Sequence, residues 1–112
     1  MTTEGKKFDV NKPRFSLIPV GALNPVINVL EFGARKYSEN NWQKVPNAHT
    51  RYFDAAHRHI DAWWSGEVAD PETGESHLAH AICCLMFLLS VEQNDISKCP
   101  VHNAASLGED SI

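Results

Sequence analysis

Basic residues are scarce in this sequence. Its 112 residues include 10 Lys and Arg against 14 Asp and Glu, which gives a formal net charge of −4. Domains that bind nucleic acid on an open face usually carry a basic surface. We therefore expect no nucleic-acid partner, although a local basic pocket is compatible with this balance.

Cysteines and long apolar segments are also few. Two of the three cysteines, Cys83 and Cys84, are adjacent in an apolar run, and the third is Cys99. Neighbouring side chains diverge by about 100° around a helix, so the pair suits a reduced compartment better than a disulfide framework. The longest apolar run, 79–89, is too short to cross a bilayer. We expect a cytoplasmic protein with no membrane partner.

Hydrophobic periodicity predicts an all-α fold, a bundle of three main helices preceded by an extended N-terminal arm. We expect one domain over 1–94 and a loosely ordered tail over 95–112. The first helix is expected to begin near Val20 or at Pro25, with Asn24 as N-cap in the second case, and to end at Tyr37. The others are expected at 49–65 and 76–92. The third is apolar nearly all round, which is typical of a helix that is central in a bundle or buried in an oligomer. We expect it to be buried in a homo-oligomer.

Histidines lie close together in the second and third predicted helices. His77 and His80 are one turn apart and project from one face of the third helix. Three interpretations are open: capping or core hydrogen bonds, donation to a phosphate near a helix N-terminus, and a transition-metal site with His59. The pattern H-x-x-H alone favours the first.

Several cations and one aromatic residue are candidates for a nucleotide site. Arginine matches a phosphate with a planar fork of donors, but the spacing alone slightly favours a surface ion pair between Arg58 and Asp54. Trp42, in the polar connection between two predicted helices, can pack or stack on a base. The cations that can together surround a polyphosphate are Lys12, Arg14, Lys36 and Arg58.

Carboxylates are candidates for binding hard cations. A magnesium-dependent site for cleaving phosphoanhydrides needs several carboxylates that converge. Glu31 and Asp54 can converge if the first two helices pack antiparallel. No helix carries an E-x-x-E or E-x-x-D pair.

Four segments, in this order and spacing, resemble one phage-associated family, the dATP/dGTP diphosphohydrolase N-terminal family. They are KPRFSLIP at 12–19, LEFGARKYSENNW at 30–42, RYFDAAHRHIDAW at 51–63 and DPETGESHLAHAICCLMFLL at 70–89. The resemblance implies kinship with the MazG-like all-α nucleotide pyrophosphohydrolases, which are helical oligomers. Those enzymes hold magnesium with E-E-x-x-E and E-x-x-D acids. Here His77 and His80 stand where two such acids are expected.

The resemblance implies a nucleotide-binding enzyme that hydrolyses dATP or dGTP to the monophosphate and pyrophosphate. Glu31 and Asp54 would bind Mg²⁺ or Mn²⁺ and act in catalysis with His77 and His80. The residues expected to bind substrate are Lys12, Arg14, Lys36, Trp42, Arg58 and His59. Because His and Arg attract phosphate rather than Mg²⁺, the alternative is a non-catalytic protein that sequesters a nucleotide or cyclic nucleotide immune signal and needs no cofactor.

Overall fold

Three α-helices make up most of the structure, a computed structural model that describes residues 4–94. They are α1 (Leu23–Lys36), α2 (Ala48–Trp64) and α3 (His77–Asn94), with short 3₁₀ turns at Phe15–Leu17 and Asn41–Lys44. Within 4–94 there is no strand, and the only isolated β-bridge joins Ala69 to Ser76. The all-α prediction is confirmed. The predicted tail at 95–112 lies outside the described residues.

Helix α1 begins earlier than a cap at Asn24 requires. Its N-cap is Ala22, which makes no side-chain capping hydrogen bond, and Pro25 is its third residue. Proline is tolerated there because the first backbone N–H groups of a helix have no partner within the helix. The Asn24 cap is therefore wrong.

Helix α2 agrees with its predicted span within one residue at each end. After it, Gly66 adopts a φ of +110°, a left-handed conformation that glycine takes without strain. The side of α2 that faces α3 carries Tyr52 and His59, which contact aromatic rings of α3. Two large apolar side chains of α2, Phe53 and Ile60, are exposed.

Helix α3 lies between the other two and contacts both. Its first turn is capped by Ser76, whose Oγ accepts a hydrogen bond from the backbone N–H of Leu78 at 3.1 Å. The core forms where small residues of α3 meet α1: Val26 packs with Ala79 and Cys83. The small side chains Ala81 and Cys84 are also buried. The prediction that α3 is central is borne out by these contacts.

A large apolar surface is exposed on α2 and α3. Among the described residues, no helix is both long enough and apolar enough to cross a bilayer. The homo-oligomer and the MazG-like arrangement stay predictions. The apolar side chains of α3 that are available for an oligomer contact are Leu78, Ile82, Leu85, Met86 and Leu89.

Candidate functional site

Three histidines meet where α2 packs against the start of α3. The Nδ1 atoms of His59 and His77 are 2.9 Å apart. The ring of His80 stacks on that of His59, with centroids 4.5 Å apart and an angle of 18° between the planes. His77 is buried, with 4% of its surface exposed. This helix contact therefore brings His59 next to two histidines that follow it by 18 and 21 positions in the sequence, His77 and His80. Those two lie one turn apart on α3.

The connection between α2 and α3 brings acidic residues to this cluster. Its chain folds back through a bridge between Ala69 and Ser76, and the His77 N–H donates to the Val68 carbonyl at 2.8 Å. Glu67 accepts a hydrogen bond from His77 Nε2 at 2.7 Å. Asp70 lies 4.0 Å from His80 Nε2. The connection thus places one carboxylate against the buried His77 and another near His80.

A tight turn holds Asp70 in place. Its Oδ1 accepts hydrogen bonds from the backbone N–H groups of Glu72 at 2.8 Å and Thr73 at 3.2 Å, as in an Asx turn. Gly74 closes the turn with a φ of +76° and donates its N–H to the Asp70 carbonyl at 2.8 Å. Thr73 Oγ1 is also 2.6 Å from His80 Nε2. The turn therefore fixes both a carboxylate and an imidazole.

Protonation in the cluster follows from burial and from neighbouring charges. Burial lowers the pKa of His59, and the nearby His80 and His77 lower it further. Burial also lowers the pKa of His80, against the opposing effect of Asp70. For Asp70, burial opposes ionisation, but the N–H groups of Glu72 and Thr73 outweigh it and lower the carboxyl pKa. The surroundings therefore favour the neutral form of His59 and His80 and the ionised form of Asp70.

A pocket of about 450 Å³ opens next to the cluster, between the end of α1, the second 3₁₀ turn, α2 and α3. Its size is within the range of small-molecule sites. Trp42 stacks on Phe87 with centroids 4.9 Å apart and an angle of 12°, and Tyr52 contacts the same ring at 5.1 Å. These three aromatic residues line the pocket, as does His80. His80 thus belongs both to the pocket and to the cluster.

One cation and one acid lie at the edge of the pocket. Lys36 Nζ is 2.8 Å from Glu72 Oε2, and both residues line the cavity. The hydrogen bond to Glu72 raises the pKa of the Lys36 amine. Both side chains are partly exposed, so the ion pair contributes little to stability. The amine is free to exchange its carboxylate partner for another anion.

The comparisons with known proteins agree on one family. Residues 2–99 match the family described as dATP/dGTP diphosphohydrolase, N-terminal. The chain belongs to the dATP/dGTP diphosphohydrolase N-terminal family. A protein of Salmonella phage PMBT28 named dATP/dGTP diphosphohydrolase is 38% identical over 90 residues, which cover 80% of this chain and 30% of the relative. The chain thus spans less than a third of that relative's length. No solved structure matches it.

Some of the site residues that the sequence predicts come together in the histidine cluster or in the pocket. The cluster contains His59, His77 and His80. The pocket is lined by Lys36 and Trp42, and also by His80. Their roles in substrate binding or catalysis stay predictions.

Other predicted site residues lie away from the pocket lining. Lys12 and Arg14 are exposed in the N-terminal arm, and Arg58 is exposed on α2. Glu31 and Asp54 are also exposed, on two helices that each pack on α3 more than on each other. The premise for their convergence, direct packing of α1 on α2, is therefore not met. Their assignment as metal ligands stays a prediction.

Sequence reasoning missed the acids that surround the histidines. Asp70 is recognisable as a turn residue in D-P-E-T-G, but its proximity to His59 requires the α2–α3 packing. Glu67 and Glu72 carry no pattern that marks them. Among residues 4–94, one group of three potential metal ligands lies close together. It consists of His59, Asp70 and His77, each with one ligand atom within 4.8 Å of the other two. That set of two imidazoles and one carboxylate does not fit the all-carboxylate magnesium site that the resemblance implies.

Proposed function

We propose that this chain binds a purine deoxynucleoside triphosphate, dATP or dGTP, in the pocket lined by Trp42 and hydrolyses it to the monophosphate and pyrophosphate. Membership of the family and the name of the phage relative support the reaction. The observation that carries the proposal is the pocket itself. It combines an aromatic wall, a lysine and a histidine in about 450 Å³.

The aromatic wall suits a purine base. Trp42, Tyr52 and Phe87 form a contiguous group whose rings are 4.9 to 5.1 Å apart. Stacking on such rings stabilises a base by about 1–3 kcal/mol and tolerates different bases. A purine offers a larger face than a pyrimidine, so this wall favours dATP and dGTP through contact area.

Two other residues that line the pocket suit the phosphates. Lys36 supplies a positive charge there, and a phosphate can replace Glu72 as its partner. His80 is held by Thr73 at 2.6 Å and can hydrogen-bond to a phosphate oxygen or to a water molecule. Hydrolysis adds one water across the bond between the α and β phosphates. We propose that these two side chains orient the triphosphate for that attack.

A divalent cation is part of the proposal only through the substrate. Mg²⁺ commonly reaches a protein bound to nucleotide phosphates and keeps several of its waters. We therefore propose that Mg²⁺ or Mn²⁺ enters with the dNTP. No step here depends on a fixed carboxylate site for it.

A panel of nucleotides tests the proposed substrate class. The four dNTPs, together with ATP and GTP, are incubated separately with the purified chain and Mg²⁺ or Mn²⁺, and the products are separated by anion exchange. We expect the monophosphate and pyrophosphate from dATP and dGTP at rates at least tenfold above those from dCTP and dTTP. Equal rates for purines and pyrimidines would contradict the assignment of the base to the aromatic wall.

A further inference from the structure

The histidine cluster contains a ligand set that the proposed hydrolysis does not use. His59, Asp70 and His77 each offer one donor atom within 4.8 Å of the other two. The two imidazole nitrogens are closest, at 2.9 Å. These residues come from α2, the connecting segment and α3, so the packing of three segments creates the set.

The partner of His77 settles which of its nitrogens carries the proton. The Glu67 carboxylate accepts a hydrogen bond from His77 Nε2 at 2.7 Å. A carboxylate has no proton to donate when it is ionised, so Nε2 carries the hydrogen in a neutral imidazole. His77 Nδ1 then has a free lone pair, directed at His59. A carboxylate behind the distal nitrogen is the usual outer partner of a metal-binding histidine.

The turn leaves part of the Asp70 carboxylate available. Both backbone hydrogen bonds from Glu72 and Thr73 go to Oδ1. Within residues 4–94, no hydrogen bond to the second carboxylate oxygen is found. The turn therefore fixes the position of Asp70 and leaves an oxygen that can serve as a ligand.

We propose that His59 Nδ1, His77 Nδ1 and the Asp70 carboxylate bind one divalent transition-metal ion, such as Zn²⁺, with Glu67 orienting His77. Two imidazoles and one carboxylate suit such ions better than Mg²⁺, which prefers oxygen ligands. Three protein ligands leave a further position open for water or another ligand. The proposal concerns metal binding and holds whether or not the chain hydrolyses a nucleotide.

A metal-free arrangement of the same residues makes a different prediction. There, His59 Nδ1 donates a proton to His77 Nδ1, and 2.9 Å is an ordinary distance for such a hydrogen bond. In that case the cluster is structural and has no affinity for Zn²⁺ beyond that of surface histidines. Metal binding therefore separates the two arrangements.

The experiment measures the metal content and affinity of the full chain, purified without a histidine tag. After chelator treatment, the protein is dialysed against Zn²⁺ and analysed by inductively coupled plasma mass spectrometry, and affinity is measured with a competing chromophoric chelator. We expect one Zn²⁺ per chain. His59→Gln, His77→Gln and Asp70→Asn should each weaken binding by at least a hundredfold, and Glu67→Gln by about 10- to 100-fold.

His57→Gln is the matched control. His57 lies on the same helix as His59 but is exposed, and its ring contacts Phe53. We expect the His57→Gln variant to bind Zn²⁺ with the affinity of the wild type. The visible spectrum of Co²⁺-loaded protein should likewise differ from that of the wild type only in the variants of the proposed ligands. Circular dichroism identifies any variant that does not fold. If buried His77→Gln fails to fold, His59→Gln and the exposed Glu67→Gln decide the outcome.

Two results would overturn the proposal. One is a wild-type chain that retains no stoichiometric Zn²⁺ after dialysis. The other is a loss of affinity in His57→Gln equal to that in His59→Gln, which would mean that Zn²⁺ binds surface histidines in general.

Discussion

His80 stacks on His59 at 4.5 Å and also lines the pocket beside them. One imidazole therefore connects two features that the sequence presents separately, a histidine cluster and a cavity with aromatic walls. Their proximity means that a ligand in the pocket and a metal ion in the cluster would be neighbours. Variants away from His80 are consequently the cleaner tests of each feature.

Replacing Trp42 tests the aromatic wall. Trp42→Ala removes the ring that stacks on Phe87 in the pocket, so we expect the dissociation constant for dGTP to rise by about 5- to 150-fold, corresponding to about 1–3 kcal/mol. Isothermal titration calorimetry measures it. Trp64→Ala is the control because Trp64 is 79% exposed at the end of α2. An equal loss of affinity in both variants would argue against a base at Trp42.

Replacing either partner of the ion pair between Lys36 and Glu72 should change the affinity for dGTP, in opposite directions for the two residues. Lys36→Gln removes a charge that attracts phosphate, so affinity for dGTP should fall, and the loss should shrink at high salt. Glu72→Gln releases the same amine from its partner and should strengthen binding. Arg35→Gln, an exposed neighbour on α1, is the control. Weaker binding in Glu72→Gln would indicate that the carboxylate itself serves the ligand.

The boundaries of the helices were largely predictable, whereas the site was only partly so. Helix α2 follows from its apolar periodicity and from Gly66. For α1 the sequence left two starts open, near Val20 or at Pro25, because Asn24-Pro25 matches a capping signal and a proline fits equally well inside a first turn. The helix starts between them, at Leu23, with Pro25 inside its first turn. The 3₁₀ turn that positions Trp42 was expected only as a polar connection, since no periodicity marks four residues.

Long-range contacts account for the part of the site that was not predictable. The spacing of His77 and His80, with His59, was sufficient to suggest a metal site as one interpretation. The pairing of Lys36 with Glu72 links positions 36 residues apart, and no local pattern encodes it. Glu67 reaches His77 only because the connecting segment folds back on α3.

Val26 tests the core where α1 meets α3. Val26 is 2% exposed and packs against Ala79 and Cys83. Val26→Ala shortens a buried side chain by two methyl groups, so we expect the free energy of unfolding to fall by about 2 kcal/mol. Urea denaturation followed by circular dichroism measures it. Val20→Ala, at a fully exposed position, should change stability by less than about 0.5 kcal/mol. Similar losses in both variants would place Val26 outside the core.

The buried cysteines should resist alkylation. Burial raises the pKa of the Cys83 thiol from 9.0 to about 11, and burial also raises that of Cys84. A raised pKa keeps the thiol protonated at pH 8. The rise in the Cys83 pKa from 9.0 to about 11 lowers its reactive thiolate fraction about a hundredfold. Iodoacetamide should therefore label both slowly in the folded chain and rapidly in urea, as read by peptide mass spectrometry. Rapid labelling of the folded chain would contradict their burial.

Hydrolysis of dGTP is the most direct test of the proposed function. The purified chain is mixed with dGTP and Mg²⁺ or Mn²⁺, with enzyme in excess over nucleotide, and the reaction is followed by ³¹P nuclear magnetic resonance. We predict that dGMP and pyrophosphate appear in equal amounts, and that Trp42→Ala slows their formation at limiting dGTP while Trp64→Ala does not. Recovery of intact dGTP from a stable complex, or the absence of both products, would contradict the account.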